Sequence, residues 1–177
     1  MDKNLILSKF NKELPNVKIL THSFGRTRSL VIEVKIEGLV QSAEFLRSSP
    51  GFLFDRVENL NISQVDQSFI FTYFLTSSSL SRPDSQESEF ILRVRTPISH
   101  DKERVVVPTL SQIWPSVRVF EDEATELFGF FFGSGGIKKI KNLLPEGLKE
   151  FPLRKSYSLP QASKTHLIQK SDPGENT

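Results

Sequence analysis

Residues 68–75 read SFIFTYFL, and this octet constrains the fold more than any other stretch. Phe69, Phe71, Tyr73 and Leu75 fall on one side of an extended chain, with Ile70 and Phe74 on the other. A strand apolar on both faces belongs in the interior of a sheet, covered above and below. Around it, residues 29–37 (SLVIEVKIE) alternate, Leu30, Ile32, Val34 and Ile36 against Glu33, Lys35 and Glu37, which predicts a half-buried strand. Phe90, Leu92 and Val94 alternate with Arg93 and Arg95 and predict another, and a further strand is expected near 54–62.

Helices are expected at both ends of this β-rich centre. Leu5, Ile6, Phe10 and Leu14 recur at helical spacing before Pro15, and residues 38–49 form a short helix broken by Pro50-Gly51. The best helix is 116–128, where Val117, Phe120, Ala124, Leu127 and Phe128 share a stripe, Ser116 is placed to cap the start and Gly129 to end it. Glu121, Asp122 and Glu123 are read as early positions favoured by the helix dipole. The 76–89 and 97–104 stretches read as loops, and Val105-Val106-Val107 leads into a segment holding Trp114. The predicted class is α+β: a two-layer domain with helices packed on a mostly antiparallel sheet, spanning residues 1–133. An extended tail follows at 134–177.

Composition narrows the chemistry. The chain has 177 residues, enough for one domain with a proper core. No Cys is present, which excludes disulfides, thiolate nucleophiles and Cys-ligated metal. The three His lie far apart in sequence, and a net charge of +2 does not by itself call for nucleic acid. No apolar run approaches the roughly 20 residues of a membrane span, and MDKNLILSKF does not read as a targeting signal. The expected compartment is the one where the chain is made, the cytoplasm.

Three stretches carry candidate function. EDEATELFGF (121–130) crowds Glu121, Asp122, Glu123 and Glu126 without a Lys or Arg among them. It reads as a solvated helix face, or as a cluster that takes a cation, a partner's Arg, or acid–base work by Glu123 and Glu126. FGSGG (132–136), followed by Lys138 and Lys139, reads as a flexible turn before it reads as a phosphate cradle, since the Walker pattern is absent. The basic stretches IKKIKN and PLRKSY sit in a tail whose apolar residues (Leu143, Leu144, Leu148, Phe151, Leu153) suit a protein partner better than nucleic acid.

The order of these motifs resembles the C-subunit family of the proton-pumping NADH–quinone oxidoreductase, respiratory complex I. The family's E-R-E-x-x-D-M-F-G-I is matched by Glu121-Asp122-Glu123 through Glu126-Leu127-Phe128-Gly129-Phe130. Ile137-Lys138-Lys139-Ile140 stands where L-R-R-I belongs, and Pro152-Leu153-Arg154-Lys155 reproduces P-L-R-K. FLFDRVENLNI and Trp114-Pro115 also fall in family order, so the likeness covers roughly residues 50–160. Asp122, Ser134-Gly135 and Ser156 depart from the family's Arg, His-Pro and Asp. The resemblance implies a subunit with no cofactor, metal or active site of its own. It implies a place in the peripheral arm, on the cytoplasmic side of the inner membrane, between the large quinone-site subunit and the iron–sulfur subunits. Glu121, Glu123, Glu126, Phe128, Gly129, Lys138, Lys139, Pro152, Leu153, Arg154 and Lys155 are the implied docking residues. The alternatives are the equivalent subunit of a related membrane-bound hydrogenase, or a stand-alone carboxylate–metal enzyme.

Overall fold

The computed structural model describes residues 3–17, 19–24, 30–50, 53–65, 68–77, 89–97, 105–133, 143–145 and 150–158. SFIFTYFL forms β4 (Ser68–Thr76), flanked on one edge by β3 (Arg56–Val65) and on the other by β5 (Glu89–Pro97), both antiparallel to it. Its interior place follows from its two apolar faces: Phe69, Phe71, Tyr73 and Leu75 are buried on one side, and Thr72 is buried on the other. The sheet continues through β2 (Leu30–Lys35), which runs parallel to β5, to β1 (Ile19–Phe24) at the far edge. The order is β1-β2-β5-β4-β3, mostly antiparallel as expected.

Four features depart from the sequence reading. β2 is buried on both faces, not one: Val31 and Glu33 are buried along with Ile32 and Val34, while β1 and β5 pair with its two edges. β1 was not expected, since Thr21, His22 and Ser23 give it no apolar alternation. A second, two-stranded parallel sheet pairs β6 (Val105–Val107) with β7 (Phe130–Phe132), so Phe132, the first residue of the expected FGSGG turn, ends a strand. The strand expected at 54–62 runs instead from Arg56 to Val65.

The helices provide the other layer. Phe10 of α1 (Lys3–Glu13) meets Phe45 of α2 (Leu39–Ser48) edge to face, with ring centroids 5.4 Å apart. The α2 residues Leu39, Ala43 and Leu46 join the same core as Ile32, Val34, Phe71 and Tyr73. Trp114 closes the core at its other side; its indole N–H donates to the Phe54 carbonyl at 2.8 Å, which satisfies the one polar atom of a large buried ring. Each such side chain contributes roughly 1.5–3 kcal/mol of burial, so the aromatic centre carries much of the stability. The third helix, α3 (Val117–Phe128), packs against β3 and β7.

Candidate partner-docking site

The acidic helix α3 starts differently from its prediction. Ser116 precedes it, but at φ −64°, ψ −24° its backbone is already helical and its hydroxyl makes no capping bond. The first turn, from Val117, holds no acid; the carboxylates begin one turn in, where dipole support has faded.

The four acids have separate environments. Glu121 is four residues from Val117 and three from Ala124, so it lies on the buried face. Only 4% exposed, it accepts from the Thr109 hydroxyl at 2.6 Å and from the Leu110 N–H at 2.8 Å, tying the 109–110 segment to the helix. Burial raises its pKa above the ordinary carboxylate value; the two hydrogen bonds oppose this, and Asp122 adds to it. The wholly buried Tyr73 feels this carboxylate. Desolvation first, then the Glu121 charge, push its phenol far above its ordinary range, and its hydroxyl has no hydrogen-bond partner among the described residues.

Asp122 lies 3.9 Å from Arg118 one turn back, and Glu123 is exposed. Glu126 is on the outward side of the helix yet only 9% exposed, because residues 143–144 lie over it: the Leu143 N–H is 3.0 Å from both carboxylate oxygens and the Leu144 N–H 2.6 Å from one. The reading of these acids as a solvated helix face therefore needs correcting for Glu121 and Glu126, which are buried. Their carboxylates accept hydrogen bonds from within the chain.

The Leu-Phe-Gly that follows forms a grip for the tail. Gly129 ends α3 in the left-handed conformation (φ 72°), donating its N–H to the Thr125 carbonyl at 3.0 Å. The Phe151 ring lies against its Cα so closely that an added Cβ would sit 2.4 Å from a ring carbon. Leu153 donates its N–H to the Leu127 carbonyl at 3.2 Å. Arg154 donates Nε to the Phe128 carbonyl at 2.5 Å, reaches the Gly129 carbonyl at 3.4 Å with Nη2, and stacks 4.9 Å from the Phe151 ring centroid. A cation over the last carbonyls of a helix is well placed for both hydrogen bonding and the dipole. Desolvation lowers its pKa, and no carboxylate pairs with it among the described residues.

Phe128 stacks on Phe130, which meets Phe69 and Phe71 in the core. Pro152 is half-buried, while Leu153 and Lys155 are exposed; the Lys155 N–H points toward Gln64 of β3 at 3.5 Å. Lys138 and Lys139 lie outside the described residues. The structure thus brings together Glu126, Phe128, Gly129, Leu153 and Arg154 at the end of α3, and places Glu121 apart, in the core. The sequence reading missed Thr109, gave Tyr73 no part in the site, and assigned Phe151 to a protein partner, whereas its ring packs on Gly129 of the same chain. A helical wheel through Val117, Glu121, Ala124 and Phe128 was the signal for a buried Glu121; nothing local marked Phe151.

Among the described residues, no group of three or more His, Asp or Glu is arranged to hold a metal ion. No helix there is long and apolar enough to cross a membrane.

The family model of the respiratory-chain NADH dehydrogenase 30 Kd subunit matches residues 32–163, taking in the sheet from Ile32 of β2 onward, α3 and the grip. The chain belongs to this family. Among its relatives is the NADH-quinone oxidoreductase C subunit of Roseiflexus sp. (strain RS-1), 28% identical over 163 residues, covering 90% of this chain and 86% of the relative. The C subunit of the Azorhizobium caulinodans oxidoreductase is 30% identical over 134 residues, 73% of this chain and 57% of its own. In fold, the chain is similar to one in the structure of the membrane-bound sulfane sulfur reductase, an archaeal respiratory membrane complex. The TM-score there is 0.75 at 16% identity, over 100% of this chain and 99% of that one. It is also similar to the trypsin-resistant fragment of Nqo5, with a TM-score of 0.54 at 19% identity over 77% of this chain and 99% of the fragment.

Proposed function

We propose that the chain is a structural, non-catalytic subunit in the peripheral arm of a proton-pumping NADH–quinone oxidoreductase. In this reading it holds the large quinone-site subunit and the iron–sulfur subunits in register while electrons pass from NADH to quinone. It is peripheral to the membrane, on the cytoplasmic side, and reaches it through the complex. The observation that carries the reading is the family match across residues 32–163, which joins the folded domain to the tail segment gripped by α3. Docking contacts are proposed among Glu121, Glu123, Glu126, Phe128, Gly129, Lys138, Lys139, Pro152, Leu153, Arg154 and Lys155. Within that set Glu123, Leu153 and Lys155 offer exposed side chains, whereas Glu121, Glu126, Phe128 and Gly129 build the helix and its end. Residues 134–177 are proposed as the partner-binding tail, with its 150–158 portion anchored at home.

The test is purification of the tagged chain from its native membranes in mild detergent, with mass spectrometry of the companions. Recovery of a large quinone-site subunit with iron–sulfur subunits is expected; a chain that emerges alone overturns the proposal. A second reading, the equivalent subunit of a related respiratory membrane complex, is favoured by the end-to-end fit to the sulfane sulfur reductase chain. An NADH-oxidising subunit among the companions separates the first reading from the second.

A further inference from the structure

The grip leaves Arg154 with donors to spare. Its Nε and one N–H of Nη2 go to the Phe128 and Gly129 carbonyls. A guanidinium carries five N–H groups, so about three remain without a partner among the described residues. The group is part-buried, enough for desolvation to lower its pKa, and no carboxylate pairs with it there. Two successive turns fold the chain around it: the Arg154 N–H donates to the Phe151 carbonyl at 3.1 Å, and the Tyr157 N–H to the Arg154 carbonyl at 3.0 Å. A hollow of about 490 Å³ opens here, lined by Glu150, Phe151, Arg154, Ser156, Tyr157 and Ser158.

The wall of this hollow is mostly polar, unlike the groove bordered by Ile36 and Val106, which is almost wholly apolar. The hydroxyls of Ser156, Tyr157 and Ser158 have no hydrogen-bond partner among the described residues. A part-buried guanidinium with free donors, set among free hydroxyls, suits a negatively charged group rich in acceptor oxygens. Phosphate fits this better than carboxylate. Its oxygens point in several directions and reach donors spread around a hollow, whereas a carboxylate offers two in one plane. The volume leaves room for whatever carries the phosphate. Glu150 is the opposing element; exposed and among the lining residues, its carboxylate repels an anion, which makes the sign of the site testable.

We propose that the hollow at Arg154 binds a phosphate group, held by the free guanidinium donors with the Ser156 and Ser158 hydroxyls and opposed by Glu150. The recognising chemistry is the same for a phosphate free in solution and for the headgroup of an anionic lipid. Arg154 then serves two ends at once, with part of its fork closing the end of α3 and the rest turned to the ligand. The site goes beyond the subunit reading above and does not depend on it.

The full chain is titrated by calorimetry with inorganic phosphate, in chloride buffer of matched ionic strength. It is also floated with vesicles of phosphatidylcholine, with and without phosphatidylglycerol. Saturable heat from phosphate identifies a soluble source; flotation that requires phosphatidylglycerol identifies a lipid headgroup. In whichever arm binds, Arg154→Met should weaken binding about tenfold or more. Ser156→Ala combined with Ser158→Ala should weaken it about fivefold. Glu150→Gln should tighten it about two- to fivefold. The control Lys12→Met, which removes an exposed charge from α1, should change neither arm. Binding in neither arm overturns the inference, as does binding that Arg154→Met leaves intact or that Glu150→Gln weakens. Thermal melts verify that the variants fold. The serine pair makes no contact of the grip, so it carries the test should Arg154→Met unfold, and undiminished binding by that pair then overturns the site. No companion subunit enters the measurement, so its failure leaves the subunit reading standing.

Discussion

Replacing Gly129 by Ala isolates the contact on which the tail's attachment turns. Two costs are readable from the geometry. At φ 72° an L-residue in the left-handed region costs about 1–2 kcal/mol. The new Cβ would then meet three carbons of the Phe151 ring at 2.4, 2.5 and 2.7 Å, so the ring must move, and overpacking of this kind costs about 1–3 kcal/mol. Together they predict a loss of about 2–5 kcal/mol. For a chain of this size that is a fall in melting temperature of about 5–15 °C. Moving the ring also breaks its stack with Arg154, so the 150–154 segment should leave the helix end. The assay is a double-mutant cycle by urea unfolding, with Gly129→Ala measured in wild type and in Phe151→Ala. Without the ring only the backbone cost remains, so the Ala substitution should be milder by about 1–3 kcal/mol in that background. Equal costs in the two backgrounds would refute the contact.

Two further outcomes follow from the same helix. Burial holds the folded pKa of Glu121 above its unfolded value. Its favourable contribution is therefore present below the ordinary carboxylate range near 4.5 and is lost as pH rises through the folded pKa. Glu121→Gln should remove this slope, so its melting temperature relative to wild type should climb as pH rises above about 4.5; parallel profiles would contradict the buried carboxylate. Arg154→Met removes both side-chain bonds to the end of α3 and should cost about 1–2 kcal/mol, discounted for partial exposure, in urea unfolding. Arg154→Lys should not restore it, since a single ammonium cannot reproduce the two-nitrogen geometry, and full restoration by Lys would count against the grip.

The parts legible in the sequence were those with strong local periodicity. SFIFTYFL announced its interior place by being apolar on both sides, and the stripe of α3 gave that helix to within a residue. β1 was invisible because ILTHSF has no alternation; it is placed in the sheet by its pairing with β2. β7 was hidden because three Phe between a helix and a Gly-rich turn carry no period, and its strand character comes from β6, far back in the chain. At the site, Gly129 was readable as a helix terminator, whereas the reason it must be Gly is also the Phe151 ring. That contact, like the Glu126 bonds to residues 143–144, is tertiary and leaves no local trace. Glu121 was misread by grouping it with its sequence neighbours rather than with Val117 and Ala124.

The single parallel pairing in the main sheet sets an order of assembly. β3 and β4 form a hairpin closing between Val65 and Ser68, and β5 adds to the free edge of β4. β1 and β2 make their own antiparallel ribbon early, but Leu30 finds its mate only at Phe90. Long-range pairings of this kind wait on loop closure and come late in folding. On a ribosome the N-terminal ribbon emerges with one edge of β2 unpaired until β5 follows. The nascent chain therefore passes through an interval with an unpaired strand edge, where a chaperone or an early-binding companion has its best opportunity to act.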